Sequence, residues 1–316
     1  MSTPRVVTFG ETMALMATQT YGPLQHAPSL LLGIGGSESN VAIGLRRLGV
    51  DATWISKVGA DSLGDLVLRE IGAEGVKVVA KRDPEASTAL MIKERRSAAQ
   101  TLVWYYRIGH AGSRLRVDEV DFDLIREADL LHVTGISPAL SPSLAELTFE
   151  AIRVAREAGV TVSFDLNFRG KLWTREQAGE TYRRIIPLCD LVFGGDDEVV
   201  MAVGPADSPL ELAHRLVELG AGEGIVKLGA AGAVAVVDGR EYEQAAVKVE
   251  VVDTVGAGDA FVAGYLAEYL AGEDVTTRLT TAVTVGAYAC LVTGDWEGLP
   301  RRHELAALTA TEGVSR

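Results

Sequence analysis

Cysteine is scarce in this chain, and its scarcity argues against two kinds of site. The 316 residues contain two cysteines, Cys189 and Cys290, which lie far apart in apolar segments. We expect both to be small buried residues rather than a disulfide pair, as is usual in a reducing cytosol. The cysteines and the five histidines show none of the spacings of a metal site. The sequence therefore favours neither a disulfide-stabilised secreted fold nor a Cys/His metal centre.

Positive charge is also in short supply. Lys and Arg number 30 against 43 Asp and Glu, which gives a formal net charge of −13. Nucleic-acid and anionic membrane surfaces require basic patches, so we expect neither partner. A small anionic substrate is not excluded, because a few arginines and helix N-termini can locally outweigh the mean charge. The chain has no apolar run near the roughly 20 residues of a membrane-spanning helix. It enters a strand at Val6 without a signal-peptide pattern, so a cytoplasmic protein is expected.

Apolar residues, in contrast, are abundant and periodic. They make up 47% of the chain, which is long enough for one large α/β domain or two small ones. From Asp118 onward helix and strand patterns alternate, beginning with a helix over 118–127, which predicts a mostly parallel sheet covered on both faces. Residues 13–33 and 87–108 carry strand patterns around a polar tip at 93–100, and we interpret them as a small accessory sheet. We find no linker and expect one α/β domain over 1–316.

The stretch Asp253 to Phe261 carries the clearest chemical signal. A strand over 249–252 is predicted to end in a turn that needs Gly256 and Gly258, and a helix begins at Ala257. Unpaired N–H groups at such a helix start form an anion site. Asp259 would repel an anion there, so we interpret it as a general base that acts on a hydroxyl next to a bound phosphoryl group. The alternative is an acidic residue that only stabilises the helix N-terminus.

A second glycine-rich turn, Gly35-Gly36, precedes another predicted helix that contains Asn40. By itself it is equally consistent with a simple loop and helix cap. Both stretches, however, resemble the two signatures of the ribokinase-like (PfkB) sugar kinases, and the resemblance extends from Phe9 to Gly298. It implies a ribokinase-like three-layer α/β/α sandwich whose small sheet is a lid over the sugar and often a dimer interface. The resemblance also implies the partners of the chain: ATP with Mg²⁺, a small-molecule sugar, and a second copy of the chain in a homo-oligomer.

The resemblance also implies roles for individual residues. Asp259 would be the catalytic base, and the amides of Gly256, Ala257 and Gly258 would form the anion hole. Gly35 and Gly36 would approach the sugar, and Asn40 would bind its hydroxyls. The remaining predicted contacts to ATP are Asn167, Arg169, Lys227, Gly229 and Gly232, with Gly256 and Gly258.

Two of these assignments have a structural alternative. The Gly229–Gly232 segment has the pattern of a hairpin turn as well as of a nucleotide contact. Glu198 is the expected residue of the Mg²⁺ shell, although Gly195 stands where the family often has Asn. The run Asp196 to Glu198 is equally typical of an acidic helix start.

Within the family, three stretches resemble 2-keto-3-deoxygluconate kinases: Trp104 to Ser113, Gly135 to Ser141, and Asp165 to Trp173. Their implied substrate is a sugar acid. Its carboxylate would be held by Tyr105, Arg107 and Arg169, since arginine with tyrosine hydroxyls suits a carboxylate. Asp295 would be a further substrate contact. The chain departs from that group at Met91, where a substrate-binding Tyr is common, and at His110, where Ser is common.

The sequence thus predicts ATP-dependent transfer of phosphate to the terminal (C6) hydroxyl of a sugar acid. Two other functions stay open at this point. A fructokinase or ribokinase would act on a neutral sugar and would not require Arg107 and Arg169. A kinase-like regulatory module would bind nucleotide or sugar without turnover, although it would have no need of Asp259. A dinucleotide-dependent dehydrogenase is disfavoured, because the first strand lacks the Gly-x-Gly-x-x-Gly turn.

Overall fold

The computed structural model describes residues 3–97 and 100–308 of the chain. Its larger sheet has nine strands in the order β13-β12-β11-β10-β9-β8-β1-β4-β5. The strands of this sheet are β1 (Arg5–Phe9), β4 (Asp51–Gly59), β5 (Lys77–Asp83), β8 (Leu130–Thr134), β9 (Thr161–Asp165), β10 (Leu191–Gly195), β11 (Glu223–Lys227), β12 (Ala233–Val237) and β13 (Arg240–Gln244). All neighbours from β11 to β5 are parallel, and only β12 and β13 join antiparallel. The expected mostly parallel sheet is confirmed.

Helices cover both faces of this sheet. The helices are α1 (Ser37–Arg47), α2 (Ser62–Ala73), α3 (Asp123–Arg126), α4 (Ile136–Leu140), α5 (Pro142–Glu157), α6 (Arg175–Ile185), α7 (Asp196–Val203), α8 (Pro209–Glu218), α9 (Ala257–Ala271) and α10 (Val275–Ala289). One core packs α1, α2, α9 and α10 on one face, and a second core packs α5 to α8 on the other. Because both faces are buried, polar side chains that serve a ligand belong at the strand ends. No helix in the described part of the chain could span a membrane.

Four further strands form the accessory sheet, which we call the lid. They are β2 (Met13–Thr18), β3 (Leu30–Gly35), β6 (Leu90–Ser97) and β7 (Gln100–Tyr106), in the order β3-β2-β6-β7. β2 and β6 are parallel, and the other pairs are antiparallel. The alternation of side chains gives the lid an inner face toward the large sheet and an outer face. The lid strands therefore lie within or next to the two segments that the sequence predicted.

Three local predictions are wrong. Residues 249–252 form no strand, because β13 already closes that edge of the sheet and Val251 and Val252 remain exposed. The helix predicted over 118–127 is divided into a 3₁₀ turn at Val117–Glu119 and the short α3. The polar tip predicted at 93–100 is much shorter, because β6 continues to Ser97 and Lys93 lies in the strand.

Candidate active site

The base predicted from the sequence lies in a network of hydrogen-bond donors. Asp259 is in the first turn of α9 and is 7% exposed. One carboxylate oxygen accepts from Ser37 Oγ at 2.6 Å and from Asn167 Nδ2 at 3.3 Å. The other oxygen accepts from Asn40 Nδ2 at 2.8 Å. Three neutral side chains from α1 and the end of β9 thus fix its orientation, and none of them is a cation.

The turn before α9 has a conformation that only glycine adopts easily. Gly256 has a φ of 76°, and a Cβ there would overlap the backbone carbonyl of Asp295. Among the described residues, the N–H groups of Gly256 and Gly258 have no hydrogen-bond acceptor. The N–H of Ala257 does have one, the Thr254 carbonyl at 3.3 Å. Two of the three predicted amides are therefore available to an anion, and the third is engaged in the turn.

A partly buried cation lies beside this turn. Lys227, at the end of β11, donates to Asp165 at 2.6 Å, and its ammonium lies 3.6 Å from the position of a Cβ on Gly258. Burial would lower the pKa of Lys227, but the carboxylates of Asp165, Glu198 and Asp259 outweigh it and raise the pKa. The ammonium therefore stays charged next to the free amides, where an anionic phosphate would be stabilised.

Other predicted nucleotide residues have mixed surroundings. Asn167 lies beside Asp259 rather than toward a separate nucleotide pocket, and it takes a positive φ of 42° directly after β9. Gly229 has a φ of 54° with open space where its Cβ would be, so that ligand backbone could approach. Gly232 has a φ of 106°, and a Cβ there would overlap the Gln244 carbonyl at the end of β13, so local packing explains that glycine without a ligand. Arg169 is exposed and lines the pocket described below.

Glu198, the predicted metal residue, caps the start of α7. Its two carboxylate oxygens accept the N–H groups of Phe168 at 2.7 Å and Gly195 at 2.8 Å. Within residues 3–97 and 100–308, no three His, Cys, Asp or Glu side chains group as they would around an ion. A carboxylate has lone pairs beyond those two bonds. The donor set therefore fits an Mg²⁺ held mainly by phosphates and water rather than an all-protein cage.

A cleft between the strand ends and the lid brings the remaining predictions together. It contains every residue that the sequence assigned to the substrate. These are Gly35, Gly36, Asn40, Tyr105, Arg107, Arg169, Asp259 and Asp295, with Gly256 beside them. The two glycines are required by packing: a Cβ on Gly35 would meet Met91 and Asp295, and one on Gly36 would meet Glu11 and Thr12. We call this cleft the sugar pocket.

The predicted carboxylate clamp already holds a carboxylate of the protein. Arg107 is buried, and its Nε donates to Glu11 at 2.7 Å, while its guanidinium lies 5.7 Å from the Tyr105 ring centre. The second oxygen of Glu11 is buried without a partner among the described residues. Burial raises the pKa of Glu11, although Arg107 opposes the shift. Glu11 lies two residues after β1, at a strand end where ligand contacts are common in α/β proteins, and its pairing with Arg107 was not predicted.

Two further pocket residues were missed. Lys93 forms a buried ion pair with Asp295 and lines the sugar pocket. Its polar neighbours made the segment resemble a turn, although the alternation of Met91 with Lys93 was a signal that both face one side. Glu38 accepts a hydrogen bond from Thr134 at 2.7 Å. That bond lowers the pKa of Glu38, but burial outweighs it and raises the pKa to about 7. The sequence analysis assigned no role to Glu38.

Comparison with known proteins agrees with this geometry. The pfkB family carbohydrate kinase profile matches residues 3–302. The chain is 37% identical to the 2-dehydro-3-deoxygluconokinase of Bacillus subtilis, over 97% of this chain and 95% of that protein. It is 34% identical to the 2-dehydro-3-deoxygalactonokinase of Haloferax volcanii, over 93% of each.

A solved structure resembles the whole fold. The fructokinase of Xylella fastidiosa with bound ATP superposes with a TM-score of 0.84 at 28% identity, covering 96% of this chain and 97% of that one. The match therefore extends over nearly the full length of both chains. This chain belongs to the pfkB family of carbohydrate kinases.

Proposed function

We propose that this chain transfers the γ-phosphoryl group of ATP to the terminal (C6) hydroxyl of 2-keto-3-deoxy-D-gluconate. The observation that carries the proposal is that Asp259 opens into the same pocket as Tyr105, Arg107 and Arg169. A proton acceptor and cations in one pocket suit a substrate that carries both a hydroxyl and a carboxylate. The two relatives named for keto-deoxy acid kinases support this substrate class.

Asp259 acts as the general base. The donors Ser37, Asn40 and Asn167 hold its carboxylate in place, so it accepts the proton of the C6 hydroxyl as that oxygen attacks the γ-phosphorus. The new O–P bond forms as the bond to the ADP oxygen breaks. The free amides of Gly256 and Gly258, with Lys227 beside them, stabilise the charge on the transferred group.

Mg²⁺ would be bound mainly by the ATP phosphates. We assign Glu198, at the start of α7, to the outer shell of the ion. The carboxylates of Glu198 and Asp165 both act on the ammonium of Lys227, which donates to Asp165. The ion supplies neutralisation of phosphate charge. Lys227 adds a fixed positive charge of the protein, which does not depend on the ion.

The carboxylate end of the substrate faces the Arg107–Glu11 pair. A substrate carboxylate brought to Arg107 would also approach Glu11. The raised pKa of Glu11 means that its carboxyl takes up a proton more readily than an exposed one, which would remove that repulsion. Tyr105 and the exposed Arg169 complete the clamp.

The same pair supports a second candidate function. Because Glu11 already neutralises Arg107, the pocket could also accept a neutral sugar, as a fructokinase or ribokinase does. A coupled ADP-release assay with Mg²⁺-ATP separates the two. The panel contains 2-keto-3-deoxygluconate, its galactonate epimer, fructose, ribose, adenosine and fructose 6-phosphate. Turnover confined to the keto-deoxy acids supports the proposal, and turnover on fructose or ribose replaces it. ATP binding without any turnover would instead favour the regulatory module.

We also propose that the lid joins two copies of the chain in the cytoplasm, where the free cysteines are expected to stay reduced. One register row crosses the outer face of the lid with four apolar residues: Leu32, Met16, Ile92 and Trp104. Leu32 is 49% and Trp104 47% exposed. Two such faces are self-complementary in a two-fold dimer. Light scattering on wild type and Trp104→Glu tests this, and a wild-type monomer at micromolar concentration would refute it.

A further inference from the structure

Lys93 is the charged residue of an otherwise apolar register row on the inner face of the lid. The register row that contains it crosses the four lid strands as Leu31, Ala17, Lys93 and Val103. Lys93 is 6% exposed, and its side chain reaches the sugar pocket. A buried ammonium in such a row requires a partner, because desolvation disfavours an isolated charge.

The partner is Asp295, which comes from the core and not from the lid. The two side chains form a direct ion pair, with 7% and 9% of each side chain exposed. Asp295 is the one hydrogen-bond acceptor that the described residues offer to the Lys93 ammonium, which has three N–H donors. A buried ion pair is weak evidence for stability, since apolar residues of similar size often do as well. The pair therefore calls for a functional reason.

The pair lies between Gly35, on the lid side, and Gly256, in the turn before α9. A Cβ on Gly35 would overlap the carboxylate of Asp295 and the methyl group of Met91. On the other side, the backbone carbonyl of Asp295 lies against Gly256, at the start of the helix that carries Asp259. A sugar whose reacting hydroxyl is at Asp259 would therefore present its adjoining carbons to Lys93 and Asp295.

We propose that Lys93 is a specificity-determining residue that, with Asp295, forms hydrogen bonds with two neighbouring hydroxyls of the acceptor sugar. The inference rests on the proposed sugar kinase activity of this pocket. An ammonium only donates hydrogen bonds and a carboxylate only accepts them, so the pair fits one hydroxyl oxygen and one neighbouring O–H. Met13, Met91 and Val103 provide an apolar wall beside them, which suits a deoxy carbon.

This arrangement makes the pair sensitive to sugar stereochemistry. The gluconate and galactonate forms of a 2-keto-3-deoxy acid differ in the orientation of one hydroxyl. Inverting that hydroxyl would turn it away from a donor that Asp295 holds in one place. We therefore expect the pair to set the ratio between the two epimers, while Arg107 and Tyr105 hold the carboxylate that both epimers share.

The test compares Lys93→Met, Lys93→Arg and the control Lys81→Met. Methionine nearly matches lysine in length and suits the apolar row, and Lys81 is an exposed lysine on β5, outside the pocket. Loss of a charged hydrogen bond in Lys93→Met should raise the KM for the preferred epimer by roughly 10- to 150-fold. The epimer ratio of kcat/KM should move toward one, the KM for ATP should stay within about twofold, and Lys93→Arg should restore part of the selectivity.

An unchanged sugar KM and epimer ratio in Lys93→Met would overturn the proposal. So would a lower kcat with unchanged sugar KM, which would indicate that the pair only positions the lid. Thermal unfolding and ATP binding establish that each variant is folded. A double-mutant cycle with Asp295→Asn must show non-additive losses if both residues contact the same hydroxyl pair.

The proposed substrate can fail independently of Lys93. If wild type phosphorylates a neutral sugar instead, the keto-deoxy acid assignment is wrong. The Lys93→Met comparison is then made on that sugar and a hydroxyl epimer of it, with the same expected rise in KM. If wild type phosphorylates none of the sugars, the sugar kinase assignment and the inference fail together.

Discussion

The sugar pocket has a core wall and a lid wall, and the two differ in how their charged side chains are paired. On the core wall, the carboxylate of Asp259 is held by Ser37, Asn40 and Asn167, which are all neutral. On the lid wall, each cation is paired with a core carboxylate: Arg107 with Glu11 and Lys93 with Asp295. Burial raises the pKa of both Glu11 and Asp295, and the cation beside each carboxyl opposes that rise.

The comparison suggests a division of tasks. The core wall orients the carboxylate of Asp259 through neutral donors, without a direct ion pair among the described residues, as we expect of a general base. The lid wall presents charges that are already compensated, and a polar substrate can share them without leaving a bare charge in the empty pocket. Under the proposed function, the chemistry would depend on residues at the ends of the central strands and helices, and the selectivity would depend on the lid.

The largest effect should come from the core wall. Asp259→Ala removes the proton acceptor, so kcat should fall by on the order of 10²–10⁴ with the KM for ATP little changed. The control is Asp274→Ala. Asp274 also lies at a helix N-terminus, where its carboxylate accepts the Thr277 N–H at 2.9 Å, but it is outside the pocket. A near-normal kcat in Asp259→Ala would show that this carboxylate only stabilises its helix.

A smaller effect is expected on the lid wall. Arg107→Ala should raise the KM for the sugar acid by roughly 10- to 150-fold, since it removes a charge-assisted hydrogen bond, and should leave the KM for ATP nearly unchanged. Removing Arg107 also leaves Glu11 buried without its cation, so Arg107→Ala/Glu11→Gln should recover part of the lost stability. Arg96→Ala, at an exposed lid arginine, is the control. Equal losses for sugar and ATP would contradict the clamp.

A third effect concerns stability rather than activity, and it comes from Glu38, a pocket carboxyl to which the proposed reaction assigns no role. Burial raises the pKa of Glu38 to about 7. The folded state therefore holds a proton that the unfolded chain releases at lower pH. The stability that this proton provides is present below about pH 4.5 and is lost as the pH rises through about 7, by up to about 3 kcal/mol.

Urea unfolding of wild type and Glu38→Gln from pH 5 to 8 measures that contribution. The free energy of unfolding should fall less with rising pH in Glu38→Gln than in wild type. Glu146→Gln, at an exposed carboxyl, should keep the wild-type slope. Parallel pH profiles for all three proteins would show that Glu38 is ionised throughout this range.

Local patterns were sufficient for much of this architecture. The βα alternation predicted the mostly parallel sheet, and the two glycine turns drew attention to Gly35, Gly36 and Asp259, which the structure places in one pocket. The strand predicted over 249–252 failed for a reason outside the segment. β-branched residues favour a strand only where a neighbour pairs with them, and here β13 already ends the sheet.

The sequence by itself determined which segments become helices, strands and tight turns, because these depend on neighbours a few positions away. It also determined the family, because the two signatures are contiguous. Only the tertiary structure decided that Glu11 neutralises Arg107, which is 96 positions away, and that Lys93 faces Asp295, which is 202 positions away. Such pairings depend on how the lid is placed over the strand ends, and no local pattern encodes the distance between two charges from different elements.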